Sequence, residues 1–192
     1  TVTSPSDIKD LLNTISKYED TGTYEVHQAL NLGAYLLLRP SELTGLLWEE
    51  IDFKNKIIRI GKNRMKSSRA HLVPMSIQVL AKFEEIKEHG LSEKFVFPSS
   101  INRNASINSE SLRVALRRLG ISKEKFTPHG FRSMGTTRLY EMGYREDVVE
   151  RTLAHSERNK VKSAYNHAQY IEERTEMMQA WSDYLDNLKK PS

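Results

Sequence analysis

Arg39-Pro40-Ser41-Glu42 places a guanidinium immediately before a proline able to open a helix. The start of a helix carries free backbone N–H groups and the positive end of the dipole, so it already favours an anion. A guanidinium there completes a phosphate site, and Glu42 three residues on can hold it in place. The ordinary alternative is an exposed turn arginine with a capping glutamate. Thr127-Pro128-His129-Gly130-Phe131-Arg132 repeats the arrangement. His129 and Arg132 are three residues apart and project from one face of a first helical turn. An imidazole beside a guanidinium suits a site that bonds a phosphate oxygen and handles a proton. A capping histidine with a solvated arginine is the competing reading.

Lys66 falls in a polar stretch with Lys62, Arg64 and Arg69. A lysine at a hairpin tip can enter a DNA groove or donate a proton to a leaving oxygen; tips also carry lysine for solubility alone. Leu153-Ala154-His155 closes a helical stretch, and Tyr165 follows across a polar loop. Taken singly, His155 reads as a helix-end histidine and Tyr165 as half-buried packing. A tyrosine nucleophile faces an ordinary pKa of about 10. It needs neighbouring cations and a proton acceptor to react near neutrality. Two arginines, a lysine and two histidines supply that set.

Composition narrows the classes. The 192 residues are 38% hydrophobic and 28% charged, enough for one domain with a sizeable core. Net charge is +4, and its distribution says more than its size: Lys62, Arg64, Lys66 and Arg69 cluster, as do Arg113, Arg117 and Arg118. Such local basic clusters suit phosphate contacts, while solvated faces remain the ordinary reading. Cysteine is absent, which excludes disulfides and thiolate metal sites. No apolar run is long enough to span a membrane. The candidate motifs are cationic, where a metal-dependent nuclease would want clustered carboxylates, so no metal is expected.

The elements that position these residues follow from pattern. Ser6 or Asp7 can cap a helix to about Tyr18 with Ile8, Leu11, Leu12 and Ile15 on one face. Val26–Leu38 reads as a buried helix stopped by Pro40, which opens another over Pro40–Trp48. Ile51-Asp52-Phe53, Ile57–Ile60 and His71–Val73 read as a three-stranded antiparallel sheet, with Lys54-Asn55 a tight turn. Ser76 caps a helix to about His89, stopped by Gly90. Phe95-Val96-Phe97 reads as a short strand and Ser109–Leu119 as a helix ended by Gly120. Thr127 caps and Pro128 starts a helix that Gly143 stops. Arg145–Leu153, a turn over Val161–Tyr165, and Ile171–Leu188 complete a mainly α chain with one small sheet.

The order Arg, Lys, His-x-x-Arg, His, Tyr resembles the tyrosine recombinase (phage integrase) family. The likeness runs from about Ile8 to about Leu185 and is nearest to prophage and genomic-island integrases. It is carried by Leu38-Arg39-Pro40-Ser41-Glu42-Leu43, Arg64-Met65-Lys66, Val73-Pro74-Met75-Ser76, Thr127 through Arg132, Leu153-Ala154-His155 and Ala164-Tyr165-Asn166. The resemblance implies the catalytic-domain fold of that family over residues 8–188, with 1–7 a linker. The core-binding and arm-binding domains usual in such integrases are expected to be absent from this chain. It implies that Tyr165 attacks the scissile phosphate and becomes linked to the DNA 3′ end. Arg39 and Arg132 would hold the non-bridging oxygens, Lys66 would protonate the leaving 5′ oxygen, His129 would assist proton transfer, His155 would hydrogen-bond the phosphate, and Glu42 would orient Arg39. Lys62, Arg64, Arg69, Arg113 and Arg117 are expected to contact DNA, and neither Arg39 nor Arg132 is expected in the core.

The implied function is site-specific recombination, integrating or excising a mobile element at double-stranded attachment sites. A homotetramer on DNA when full length, an excision factor, and a bacterial or phage-encoded protein working in the cytoplasm belong to the same implication. Two positions depart from the family: Leu37 stands where a glycine is familiar, and His167 where island integrases often carry arginine. A type IB topoisomerase shares the chemistry without synapsis, and a DNA-binding module without catalysis is a further alternative. The wording around Arg39 and Tyr165 argues against the first and the complete set of six residues against the second.

Overall fold

The computed structural model describes residues 2–65, 70–154 and 170–190. Helix α1 (Pro5–Ser16) starts at Ser4, whose hydroxyl accepts from the Asp7 N–H, two residues earlier than the expected cap. The segment read as a linker therefore enters the helix at Pro5, and Val2 before it is buried. Helix α2 (Tyr24–Leu36) is buried on almost every side, as its apolar run requires. It lies at the centre of the molecule, packed by α1 and by the helices that follow it in the chain. Its last turn ends at Leu37, a non-glycine residue in the left-handed region with φ 54°. Helix α3 (Pro40–Thr44) is shorter than expected: the chain leaves it at Gly45 and makes a separate 3-10 turn over Trp48–Glu50.

The sheet forms as the alternation demands. Strands β1 (Ile51–Asp52), β2 (Ile57–Ile60) and β3 (His71–Pro74) are antiparallel in the order β1-β2-β3. Ile51 pairs with Ile58, and Ile58 and Ile60 pair with Val73 and His71. That register turns Ile58, Ile60, His71 and Val73 inward and leaves Arg59 outside. Ser76 caps α4 (Ile77–His89) through the Val79 N–H, and Gly90 ends it at φ 68°. Phe95-Val96-Phe97 is not a strand; Phe95 makes a lone bridge to Leu47 while Val96 and Phe97 sink into the core. Their apolarity reflects burial rather than a ladder.

Asn108 caps α5 (Ser109–Arg118). Helix α6 (Gly130–Glu141) begins two residues later than expected, with His129 rather than Thr127 at its N-cap. The short α7 (Glu146–Thr152) follows, and α8 (Ile171–Lys189) runs back across α1, α2, β3, α6 and α7. Met177, Met178, Trp181 and Leu185 bury its inner stripe, and the Trp181 indole N–H donates to the Ala34 carbonyl of α2. The expected turn over 161–165 lies outside the described residues.

Candidate active site

Arg39 is the N-cap of α3, where Pro40 supplies the fixed φ of the first helical position. Glu42 accepts twice from it: the backbone N–H at 3.1 Å and the guanidinium at 2.8 Å. Glu42 is buried at 3% exposure while the Arg39 side chain is 22% exposed, so the carboxylate braces the guanidinium from beneath and leaves its outer edge presented. Glu42 thus holds Arg39 in place within the fold.

Arg132 sits in the first turn of α6 and is 4% exposed, contrary to the expectation that it stands clear of the core. One guanidinium nitrogen donates to the Leu37 carbonyl at 2.7 Å and the other to the Leu153 carbonyl at 2.6 Å. The first is the left-handed residue that ends α2; the second is the residue that ends α7. Burial, and after it the positive charge of Arg39, lower the Arg132 pKa to about 10 against the opposing pull of Glu42 and Glu150. Arg132 still stays charged at neutral pH. Two like charges are thus held within range of each other, an arrangement that an anion between them relieves.

Two glycines set how closely the three elements meet. A Cβ at Gly33 would stand 3.1 Å from the Phe131 ring and 3.3 Å from Leu43, so α2 admits both neighbours. A Cβ at Gly135 would stand 2.5 Å from both Leu37 methyl carbons. The Leu37 side chain therefore occupies the space above Gly135. His129 shares the first turn of α6 with Arg132, whose N–H donates to the His129 carbonyl at 3.1 Å. His129 is exposed where Arg132 is buried.

Behind this pair lies a group that sequence reasoning missed. His71, at the start of β3, and Arg174, on α8, are both buried. The His71 pKa falls to about 3, first through burial and then through the charges of Arg174, Arg132 and Arg151. Arg174 interrupts the apolar stripe of its helix, the one signal that marked it.

The other expected residues divide. Lys66, Arg69, His155, Tyr165 and His167 lie outside the described residues. Lys62 is exposed. The remaining basic residues expected at DNA are engaged within the fold. Arg64 pairs with Glu50 and donates to the Glu42 carbonyl at 3.1 Å, fastening the sheet to α3. Arg113 pairs with Glu110 along α5. Arg117 donates to the carbonyls of Ile121 and Phe126, tying down the loop after α5. These bonds hold Arg64 and Arg117 to the fold.

Residues 1–172 match the family described as the phage integrase family. Prophage integrase IntA of Escherichia coli K12 is 41% identical over 149 residues, covering 78% of this chain and 36% of that protein. The integrase of Enterobacteria phage P4 is 34% identical over 173 residues, 82% of this chain and 39% of that protein. The chain thus spans less than half the length of these relatives. Among solved structures, the Tn1549 transposon integrase in complex with transposon right end DNA superposes with a TM-score of 0.67 at 20% identity, over 94% of this chain and 66% of that one. A lambda integrase dimer bound to a core site gives 0.60 at 19% identity, over 78% of this chain and 56% of that one. At such identities the structures establish a shared fold.

Proposed function

The chain belongs to the phage integrase family, and from that premise we propose that residues 8–188 form the catalytic domain of a tyrosine-type site-specific recombinase. Its substrate is double-stranded DNA at the attachment sites of a mobile element. It acts as a homotetramer on DNA when part of a longer protein, with an excision factor setting direction, in the cytoplasm of a bacterial host. The observation that carries this reading is the Arg39–Arg132 pair: two guanidiniums at separate helix starts, held within electrostatic range of each other, one braced by a buried glutamate and the other by two backbone carbonyls.

In the proposed reaction the Tyr165 oxygen attacks the scissile phosphorus as its proton leaves towards His129. The bond from phosphorus to the 5′ oxygen breaks, and Lys66 gives that oxygen a proton. Arg39 and Arg132 take the charge that builds on the non-bridging oxygens, and His155 bonds one of them. Fixed cations facing the place where charge develops are the largest source of acceleration in such a step. One phosphodiester is exchanged for another, so rejoining is the same step reversed and consumes no nucleotide.

A nicked duplex that releases the short fragment bearing the new 5′ hydroxyl on cleavage tests the reading by trapping a covalent adduct on denaturing gels. The wild-type chain is expected to give the adduct equally in EDTA and in magnesium, because side chains supply the positive charge. Tyr165→Phe is expected to bind DNA and melt as wild type while giving none. An adduct surviving in that variant, or a DNA-linked peptide containing a different tyrosine, refutes the mechanism.

A further inference from the structure

Arg174 is 3% exposed and stands on the inner side of α8, where an apolar residue would pack at lower cost. Its Nε donates to the Thr152 hydroxyl at 3.0 Å and a terminal nitrogen donates to the Leu72 carbonyl at 2.5 Å. Among the described residues no carboxylate pairs with it, and burial together with Arg151 lowers its pKa to about 10. A guanidinium buried against neutral partners is costly to keep, so its place calls for a reason beyond packing.

The bonds around it supply one. Thr152 uses both sides of its hydroxyl, accepting from Arg174 and donating to the Val148 carbonyl at 3.0 Å. The next residue, Leu153, offers the carbonyl that receives Arg132. Arg132 continues to the Leu37 carbonyl, two residues before Arg39. A continuous line of bonds therefore runs from β3 through Arg174, the end of α7 and Arg132 to the end of α2. His71 adds a second hold on the same turn through a hydrogen bond with the Thr152 backbone.

We propose that Arg174 is a positioning residue for strand cleavage, fixing the last turn of α7 against β3 so that the Leu153 carbonyl aims Arg132 at the phosphate. This rests on the recombinase reading given above. A misplacement of the reacting groups by about 1 Å costs on the order of a hundredfold in rate. Loss of the tie should therefore slow cleavage roughly ten- to a hundredfold.

The test is single-turnover adduct formation at saturating DNA by Arg174→Met, Arg174→Lys and Thr152→Val, with Arg132→Ala as reference. Two nicked duplexes are compared: one with the native scissile phosphate, and one in which a methyl group replaces a non-bridging oxygen. The second carries no charge for Arg132 to meet. Arg174→Met is expected to lose about ten- to a hundredfold on the native phosphate and only a few-fold on the methyl-substituted one, as Arg132→Ala does, with DNA affinity unchanged. Arg174→Lys should recover part of the rate. Thr152→Val keeps the shape and removes the hydroxyl, so it carries the same test if Arg174→Met fails to fold. Equal losses on the two duplexes, or wild-type rates in the folded variants, overturn the positioning role while leaving the recombinase reading intact. A wild-type chain that yields no adduct on either duplex overturns both.

Discussion

Replacing Gly135 by alanine should destabilise this protein while Leu37 is present and stabilise it once Leu37 is glycine. Gly135 lies inside α6, where alanine is favoured over glycine by about 1 kcal/mol. The added methyl would stand 2.5 Å from both methyl carbons of Leu37. Leu37 is fully buried and its backbone is committed to φ 54°, so its side chain has little room to turn away. Overpacking of this kind costs about 1–3 kcal/mol, which exceeds or cancels the helical gain and leaves a net loss of roughly 1 kcal/mol. Leu37→Gly by itself relieves about 1 kcal/mol of left-handed strain. It also empties a buried leucine site at a cost of about 3–5 kcal/mol, so it destabilises by roughly 2–4 kcal/mol. In that background Gly135→Ala meets no methyl groups and gains its roughly 1 kcal/mol of propensity while refilling part of the void. The coupling between the two positions is then about 2 kcal/mol. Urea unfolding of the four proteins, followed by far-UV circular dichroism, measures it. Additivity within about 0.5 kcal/mol, or an alanine that stabilises the Leu37 protein, refutes the argument that Leu37 is accommodated by Gly135.

Three further outcomes follow from the site. Arg39→Ala and Arg132→Ala should each lower adduct formation by about two to three orders of magnitude; Arg132→Ala should in addition cost about 2 kcal/mol or more in urea unfolding, because the Leu37 and Leu153 carbonyls lose their partner. His71 binds its proton near pH 6.5 when unfolded and only near pH 3 when folded, so the unfolded chain takes up the proton first as pH falls and stability declines through that window. Between pH 7 and pH 5 this amounts to about 2 kcal/mol, and His71→Leu should flatten that part of the stability profile measured by urea titration at each pH. Lys62→Ala should weaken DNA binding and reduce the slope of log affinity against log salt by about 1, whereas Arg64→Ala should leave the slope unchanged and lower the melting temperature, since Arg64 is held by Glu50 and the Glu42 carbonyl.

What was legible in the sequence was local chemistry. Pro40 after Arg39 and Glu42 three residues on define a helix start within a few residues, and the structure carries those bonds as expected. Ser76 and Gly90 bracket α4 for the same reason, and the alternation of Ile58, Arg59 and Ile60 sets the sheet register. Arg132 was recognisable by type and spacing but not by burial, because its partners lie 95 and 21 residues away. Arg64 and Arg117 read as exposed basic side chains, since nothing near them in sequence announces the Glu50 carboxylate or the Phe126 carbonyl that hold them. Phe95-Val96-Phe97 has strand-like composition, yet its burial arises from packing and its ladder is a single bridge. Arg174 was passed over because a lone cation on an apolar stripe has no pattern of its own.

The two carbonyls that hold Arg132 also set an order of events during synthesis. Leu37 leaves the ribosome long before Arg132, and Leu153 emerges 21 residues after it. At about 5–20 residues per second this last piece arrives a second or more behind the arginine. Until then the guanidinium has half its cradle, and the end of α7 has nothing to dock against it. A nascent chain, or a fragment clipped ahead of α7, therefore lacks the Leu153 hold on Arg132, while Glu42 already holds Arg39. The cradle of Arg132 therefore closes only with completion of the fold.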